Sequence, residues 1–418
     1  MRSSLKFAAV ATVLLPVAAL AAPFDPEAAT KVYLATLGGA ARAKSDAYFE
    51  GGYWLILWGT IVALLTNWLM LRVGWSARFR DWAERVTQRN WLRPGLYIIP
   101  YMLVSTLLVL PWTIYTEYFR EKQYDLLSQD FGSWAGDQAI SLGLVTVVAI
   151  LAAIGAFRRI EKSPKRWWLW GSGIATLFVA LTAMIFPLFV APLFNSYTEM
   201  TPGPLRDRIV AMAKANDVPA EHIYVVDASR QSKRISANVS GLGPTIRISL
   251  NDNLLNRATP DEVAAVMGHE LGHYVLGHIA RLIIIFSLIL LALFWLLYWA
   301  TPKLIARYGA GWGVRGPADP AVVPVYAILV ALFFLVATPV TNTLVRVNES
   351  EADAFALEAA REPDAQARAY MKLAEYRKLE PGAIEEALFF DHPSGKTRIR
   401  MTMDWKAAHL AEVEASAK

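Results

Sequence analysis

Residues 259–300 read TPDEVAAVMGHELGHYVLGHIARLIIIFSLILLALFWLLYWA: a capped helix start, paired histidines and a membrane-length apolar run in unbroken succession. Thr259, Pro260 and Glu262 supply an N-cap, a proline at the first helical position and a capping box, so a helix is expected from residue 260 onward. Along it His269 and His273 stand four apart and project from one face, as two ligands of a single ion require. Glu270 lies between them, where a carboxylate can take a proton from water without being a ligand itself. His278, five residues past His273, would be rotated off the ligand face of a continuous helix, in an outer position or facing solvent. The competing reading is a capped helix whose histidines simply hydrogen-bond in a core.

Outward from this stretch, the run at 282–300 is one of six that approach or exceed the roughly 17–25 residues needed to cross a bilayer as helix. The others are 52–71, 96–113, 140–157, 167–191 and 321–341. Of 418 residues 55% are hydrophobic and only 18% charged, which suits a membrane protein better than a soluble one. The net charge of +5 is explained by short Arg-rich loops between spans and calls for no nucleic acid. With no cysteine, disulfides, thiol nucleophiles and thiolate ligands are excluded, so any metal must sit on His and carboxylate. Asn67, inside the first span, suits a polar chamber or a hydrogen bond to a neighbouring helix. Arg2 and Lys6 followed by apolar Phe7 to Leu20 read as a signal peptide or signal anchor over 1–22.

The expected architecture is mainly α: a polytopic membrane helical bundle with a small α+β metallopeptidase domain. Its regions are 23–196 with four spans, 197–281 with the HExxH helix, 282–341 with two spans, and 342–418 completing the domain. In the first soluble stretch LRDRIVAMAKAN (205–216) has helical periodicity and IYVVD (223–227) is β-rich. Next, Ile235, Ala237 and Val239 alternate with polar residues, the chain turns through Gly241 to Pro244, and Ile246, Ile248 and Leu250 follow, the pattern of a β-hairpin.

A catalytic zinc needs a third protein ligand and an open position. After the last span comes RVNESEADAFALEAA, helix-favouring from Arg346, in which Glu349 and Asp353 share a face while Glu351 points elsewhere. Glu349 can reach a zinc held by His269 and His273, and Asp353 can accept a hydrogen bond from a ligating imidazole. Arg346 is a further candidate to brace the ligands. Taken alone, this stretch would be a solvated acidic helix face; beside HExxH it completes a site.

Together HELGHYVLGH, the spans after it, RVNESEADAFA and DHPSGKTRIR resemble the type I CaaX prenyl endopeptidases and their bacterial relatives. The resemblance implies a chamber enclosed by the spans, a zinc site completed by Glu349, and hydrolysis of peptide bonds in flexible or lipid-associated polypeptides. It implies too that Asn238 in SANVSGLG pins substrate backbone at an edge strand, that His392 faces the reacting carbonyl, and that Arg398 occupies the family's basic position. A heat-shock type quality-control protease would share this chemistry and differ in substrate. A polytopic channel or receptor would leave HExxH and its downstream Glu as coincidence.

Short-loop charges set the orientation. With residue 23 outside, the inner segments 78–93, 158–166 and 301–320 carry thirteen Lys and Arg, against five in the outer segments 23–51 and 114–139. Both soluble stretches then face the outside of a bacterial inner membrane, whereas the resemblance would open the site to the cytosol.

Overall fold

The computed structural model describes residues 24–219, 222–241 and 246–416. The apolar segment at 7–20 and most of the expected turn between Gly241 and Pro244 lie outside the described residues. Among the described residues six helical segments are long and apolar enough to cross a bilayer: Gly39–Arg72, Asn90–Gln123, Phe131–Lys162, Trp167–Leu193, His278–Trp312 and Pro320–Ala360. Each contains one of the six runs read from the sequence, and the fold is a polytopic helical bundle enclosing a chamber. Its outer wall is apolar where a soluble protein would be polar: Val336 is 78% exposed and Leu288 62%. In lipid that surface is the solvated one. Asn67 makes an interhelical contact, accepting from the Tyr101 hydroxyl at 2.8 Å.

One end of the bundle is closed by Trp75–Val86, whose Arg80 is buried against Asp319 at 2.8 Å. The α+β domain closes the other. There a sheet, with β1 at Tyr197–Glu199, β2 at His222–Val226, β3 at Ala237–Ser240 and β4 at Arg247–Asn251, runs in the order β1-β2-β4-β3. β2 and β4 are parallel, while β1 and β3 are antiparallel to their neighbours. Ile223, Ile248 and Leu250 are fully buried on one face, packed with Ile209, Val263, Met267 and Leu271 from the helices Pro204–Ala215 and Pro260–Val275. β3 is an edge strand, in which Asn238 is exposed and registers with Ser249.

The capping box is formed: Glu262 N–H donates to the Thr259 hydroxyl and Thr259 N–H to the Glu262 carboxylate. That carboxylate is also paired with Lys372 and Arg368, anchoring the helix start to the Pro363–Leu373 helix.

The stretch after residue 341 is not a separate segment. A single helix, Val323–Ala360, runs from the membrane into the domain. No glycine lies between 323 and 360, and Pro339 is its one interior proline, so nothing in the sequence ends the helix at 341. It stops at Arg361 in the left-handed conformation, followed by Pro363.

The HExxH helix lies unusually close to this long helix. A Cβ at Gly268 would stand 3.2 Å from Ala356 Cα, and one at Gly272 3.1 Å from Phe355 Cβ. Glycine at both positions is what lets the two backbones approach closely enough for side chains of one to reach those of the other.

Candidate metal centre

His269 and His273 face one another at the end of their helix, with their Nε2 atoms 3.0 Å apart. Glu349, buried on Val323–Ala360, brings Oε2 to 3.2 Å from His269 Nε2 and Oε1 to 3.4 Å from His273 Nε2. Donor atoms of a tetrahedral zinc lie about 3.3 Å from one another, given ligand distances near 2.0–2.1 Å. The 3.0 Å between the imidazole nitrogens, and the 3.2 and 3.4 Å from each of them to a different Glu349 oxygen, are close to that spacing. Glu349 Oε2 is buried yet hydrogen-bonded to nothing among the described residues, because the imidazoles within reach are not aligned to donate to it. An acceptor left in this way calls for a partner at the centre of the triangle.

The electrostatics agree. Burial works against the His269 imidazolium, but the hydrogen bond to Asp353 and the neighbouring Glu349 carboxylate outweigh it and raise the ring's pKa to about 10. A site that so favours positive charge between two imidazoles and two carboxylates suits a divalent cation.

Around the triangle, Asp353 is fully buried, with Oδ1 2.7 Å from His269 Nδ1. Arg398 grips the same carboxylate at two points, Nε to Oδ2 at 2.7 Å and Nη2 to Oδ1 at 2.5 Å, and lies over the Tyr370 ring. The basic residue after His392 therefore braces Asp353. His392 arrives from the loop before Gly395–Ala408, with Nε2 3.2 Å from Glu349 Oε2 and Nδ1 2.8 Å from Asp391. Burial pushes its imidazole below the ordinary range, toward the neutral form. Burial also pushes the Glu270 carboxyl above the usual carboxylate range, with His269 and His273 opposing.

Arg346 does not touch the triangle. It donates to the carbonyls of Glu386 and Phe390, and so holds the segment leading into Asp391 and His392.

Of the two positions the sequence allows His278, the structure takes the one behind the ligands, and Glu351 joins it there, which the sequence does not suggest. The HExxH helix ends at Val275, capped by Leu276, and Gly277 takes a left-handed φ of 66°. The turn swings His278, 1% exposed, back so that its Nδ1 meets His273 Nδ1 at 2.9 Å. Glu351, off the Glu349 face, meets the other side of His278 at 3.0 Å. A helical wheel carried past Gly277 could not show this; the glycine itself was the available signal. Two further neighbours, Arg377 and Asp391, also escaped the sequence reading. Arg377 Nη2 stands 3.4 Å from His392 Nε2. It also lines a cavity of about 460 Å³ beside the site, together with Tyr48, Tyr53, Arg234 and Phe389.

Two family models match the chain, one after the other. Residues 200–406 match peptidase family M48, and residues 35–196 match the CAAX prenyl protease N-terminal region, described as five membrane helices. The chain is 26% identical over 360 residues to an uncharacterized metalloprotease of Bacillus subtilis, YhfN, covering 86% of this chain and 84% of that one. It is 29% identical over 272 residues to CAAX prenyl protease 1 of Saccharomyces cerevisiae, covering 60% and 59%. With the Homo sapiens CAAX prenyl protease 1 homolog the identity is 28% over 280 residues, covering 58% of each. The chain thus spans less than two thirds of these two relatives' length. In fold it is similar to the crystal structure of S. mikatae Ste24p, with a TM-score of 0.75 at 20% identity, covering 91% of this chain and 94% of that one.

Proposed function

Because the chain belongs to the M48 peptidases with a CAAX prenyl protease N-terminal region, we propose that it is a membrane zinc endopeptidase whose ion is held by His269, His273 and Glu349. The observation that carries this reading is the cluster itself: two imidazole nitrogens 3.0 Å apart, each 3.2–3.4 Å from one of the two oxygens of a buried carboxylate, Oε2 of which has no hydrogen-bond partner among the described residues. Zinc bound there would supply Lewis-acid polarisation of a carbonyl and acidify water at its open position.

The protein's own residues do the rest. Glu270, raised toward neutrality by burial, takes a proton from the attacking water and returns it to the leaving amine. His392, oriented by Asp391, donates to the carbonyl oxygen as charge develops on it, a role worth about 3 kcal/mol for one well-placed donor. Asn238 on the exposed edge of β3 holds extended substrate backbone, since an edge strand offers unpaired amides and carbonyls in register with a peptide. Asp353, braced by Arg398, fixes the tautomer and orientation of His269.

The substrate we propose is a flexible or lipid-associated polypeptide end. Supporting it are the chamber between the spans and the CAAX prenyl protease relatives. The loop-charge asymmetry favours a bacterial inner membrane with the site facing outward. Two variants test the site together: Glu270→Gln should keep stoichiometric zinc and lose proteolysis, while Glu349→Ala should lose both. Substantial cleavage by zinc-loaded Glu270→Gln protein would sink the assignment.

A further inference from the structure

An imidazole that ligates a cation through Nε2 keeps its proton on Nδ1. For His269 that proton goes to Asp353, 2.7 Å away. For His273 the partner of Nδ1 is another imidazole nitrogen, His278 Nδ1 at 2.9 Å. Two such nitrogens bond only if one donates and the other accepts, so His273 Nδ1–H donates and His278 carries its own proton on Nε2. There Glu351 Oε2 receives it at 3.0 Å, and Arg281 Nη1 steadies the same oxygen from 2.7 Å while reaching Asn348 Oδ1 at 3.0 Å.

We infer that His278 and Glu351 are positioning residues for the metal, holding His273 in the Nδ1–H tautomer with its Nε2 lone pair aimed into the triangle. The inference rests on the zinc site proposed above. Each histidine of the HExxH pair then has its own brace. The braces differ in kind: Asp353 and Arg398 are buried, whereas the Glu351 and Arg281 side chains are 40% and 41% exposed. The outer brace is therefore open to substitution without stranding a buried charge. Four of the chain's six histidines are engaged at this one centre, one of them solely through another.

The test is the zinc dissociation constant of the full chain in detergent, measured by competition with a chromophoric chelator. It is applied to wild type, His278→Leu, Glu351→Gln and the double variant. His278→Leu should weaken zinc binding about 10- to 100-fold, with Glu351→Gln near the lower end of that range. Because Glu351 acts only through His278, the double variant should bind zinc as His278→Leu does, without the product of the two losses. Unshifted constants in both single variants, with or without a lower melting temperature of the metal-free protein, would overturn the inference, as would multiplicative losses in the double variant. If His278→Leu does not fold, the half-exposed Glu351→Gln decides alone, and wild-type affinity in that variant refutes the role. A wild-type chain that binds no zinc removes the underlying site, whereas zinc-loaded wild type with unshifted variants refutes this inference only.

Discussion

Replacing Arg398 by Met removes the guanidinium that neutralises a carboxylate with no access to water. Asp353 is 0% exposed and Arg398 5%, and they are joined by two bonds of 2.7 and 2.5 Å. Removing one partner of such a pair typically costs about 3–5 kcal/mol, because the remaining charge stays buried. Against a usual total stability of about 5–15 kcal/mol, that is a large fraction. The double variant Asp353→Asn/Arg398→Met leaves no charge behind and should recover most of the loss, since a neutral replacement of a buried pair is often neutral or stabilising. Zinc binding should not recover with it. The introduced amide would offer His269 a neutral acceptor, about half as strong as the carboxylate, and affinity should stay about 10- to 100-fold below wild type. Chemical unfolding of the metal-free protein in detergent reads the first quantity, and chelator competition reads the second. Arg398→Met protein within about 1 kcal/mol of wild type would refute the electrostatic argument. A double variant with wild-type zinc affinity would refute the role given to Asp353.

Three further outcomes are expected. Asn238→Ala should lower peptide kcat/KM by about 2- to 10-fold, the worth of one hydrogen bond, with zinc content unchanged; unaltered kinetics would make Asn238 an ordinary strand residue. Activity needs the Glu270 carboxylate, present above its pKa and lost below. Burial raises that pKa, so the acidic limb of the kcat/KM profile should lie above the ordinary carboxylate range, and a limb at the pH of a free glutamate would contradict the buried base. Because the chain has no native cysteine, one introduced at exposed Ser229 should react with a membrane-impermeant maleimide in intact cells. Labelling only after the inner membrane is broken, in zinc-loaded protein, would reverse the proposed orientation.

Local patterns made much of this legible. The TPDE cap and the 269/273 spacing are written in contiguous residues, and so are the six apolar runs, whose lengths answer to the bilayer. The hairpin alternation and the amphipathic helix at 204–215 are local too. What the sequence conceals comes from distance or from a broken period. Arg398 is 45 residues from Asp353, and Glu351 is 73 from His278. No periodicity links such positions. Hydropathy misplaces the end of the last helix, because it falls at 342 while the helix runs on. Apolarity marks what touches lipid, whereas helix continuity depends only on the absence of a breaker.

That continuity has a mechanical meaning. At 1.5 Å per residue the 38 residues of Val323–Ala360 form a rod about 57 Å long, nearly twice the roughly 30 Å hydrocarbon layer it crosses. Glu349 rides toward its far end, while the helix bearing His269 and His273 joins the preceding membrane helix through the left-handed turn at Gly277. An ion gripped by all three would rivet two shafts of the bundle that already pack against one another. Bilayer thickness, which sets how each shaft tilts, would then be felt as ångström-scale play at the rivet.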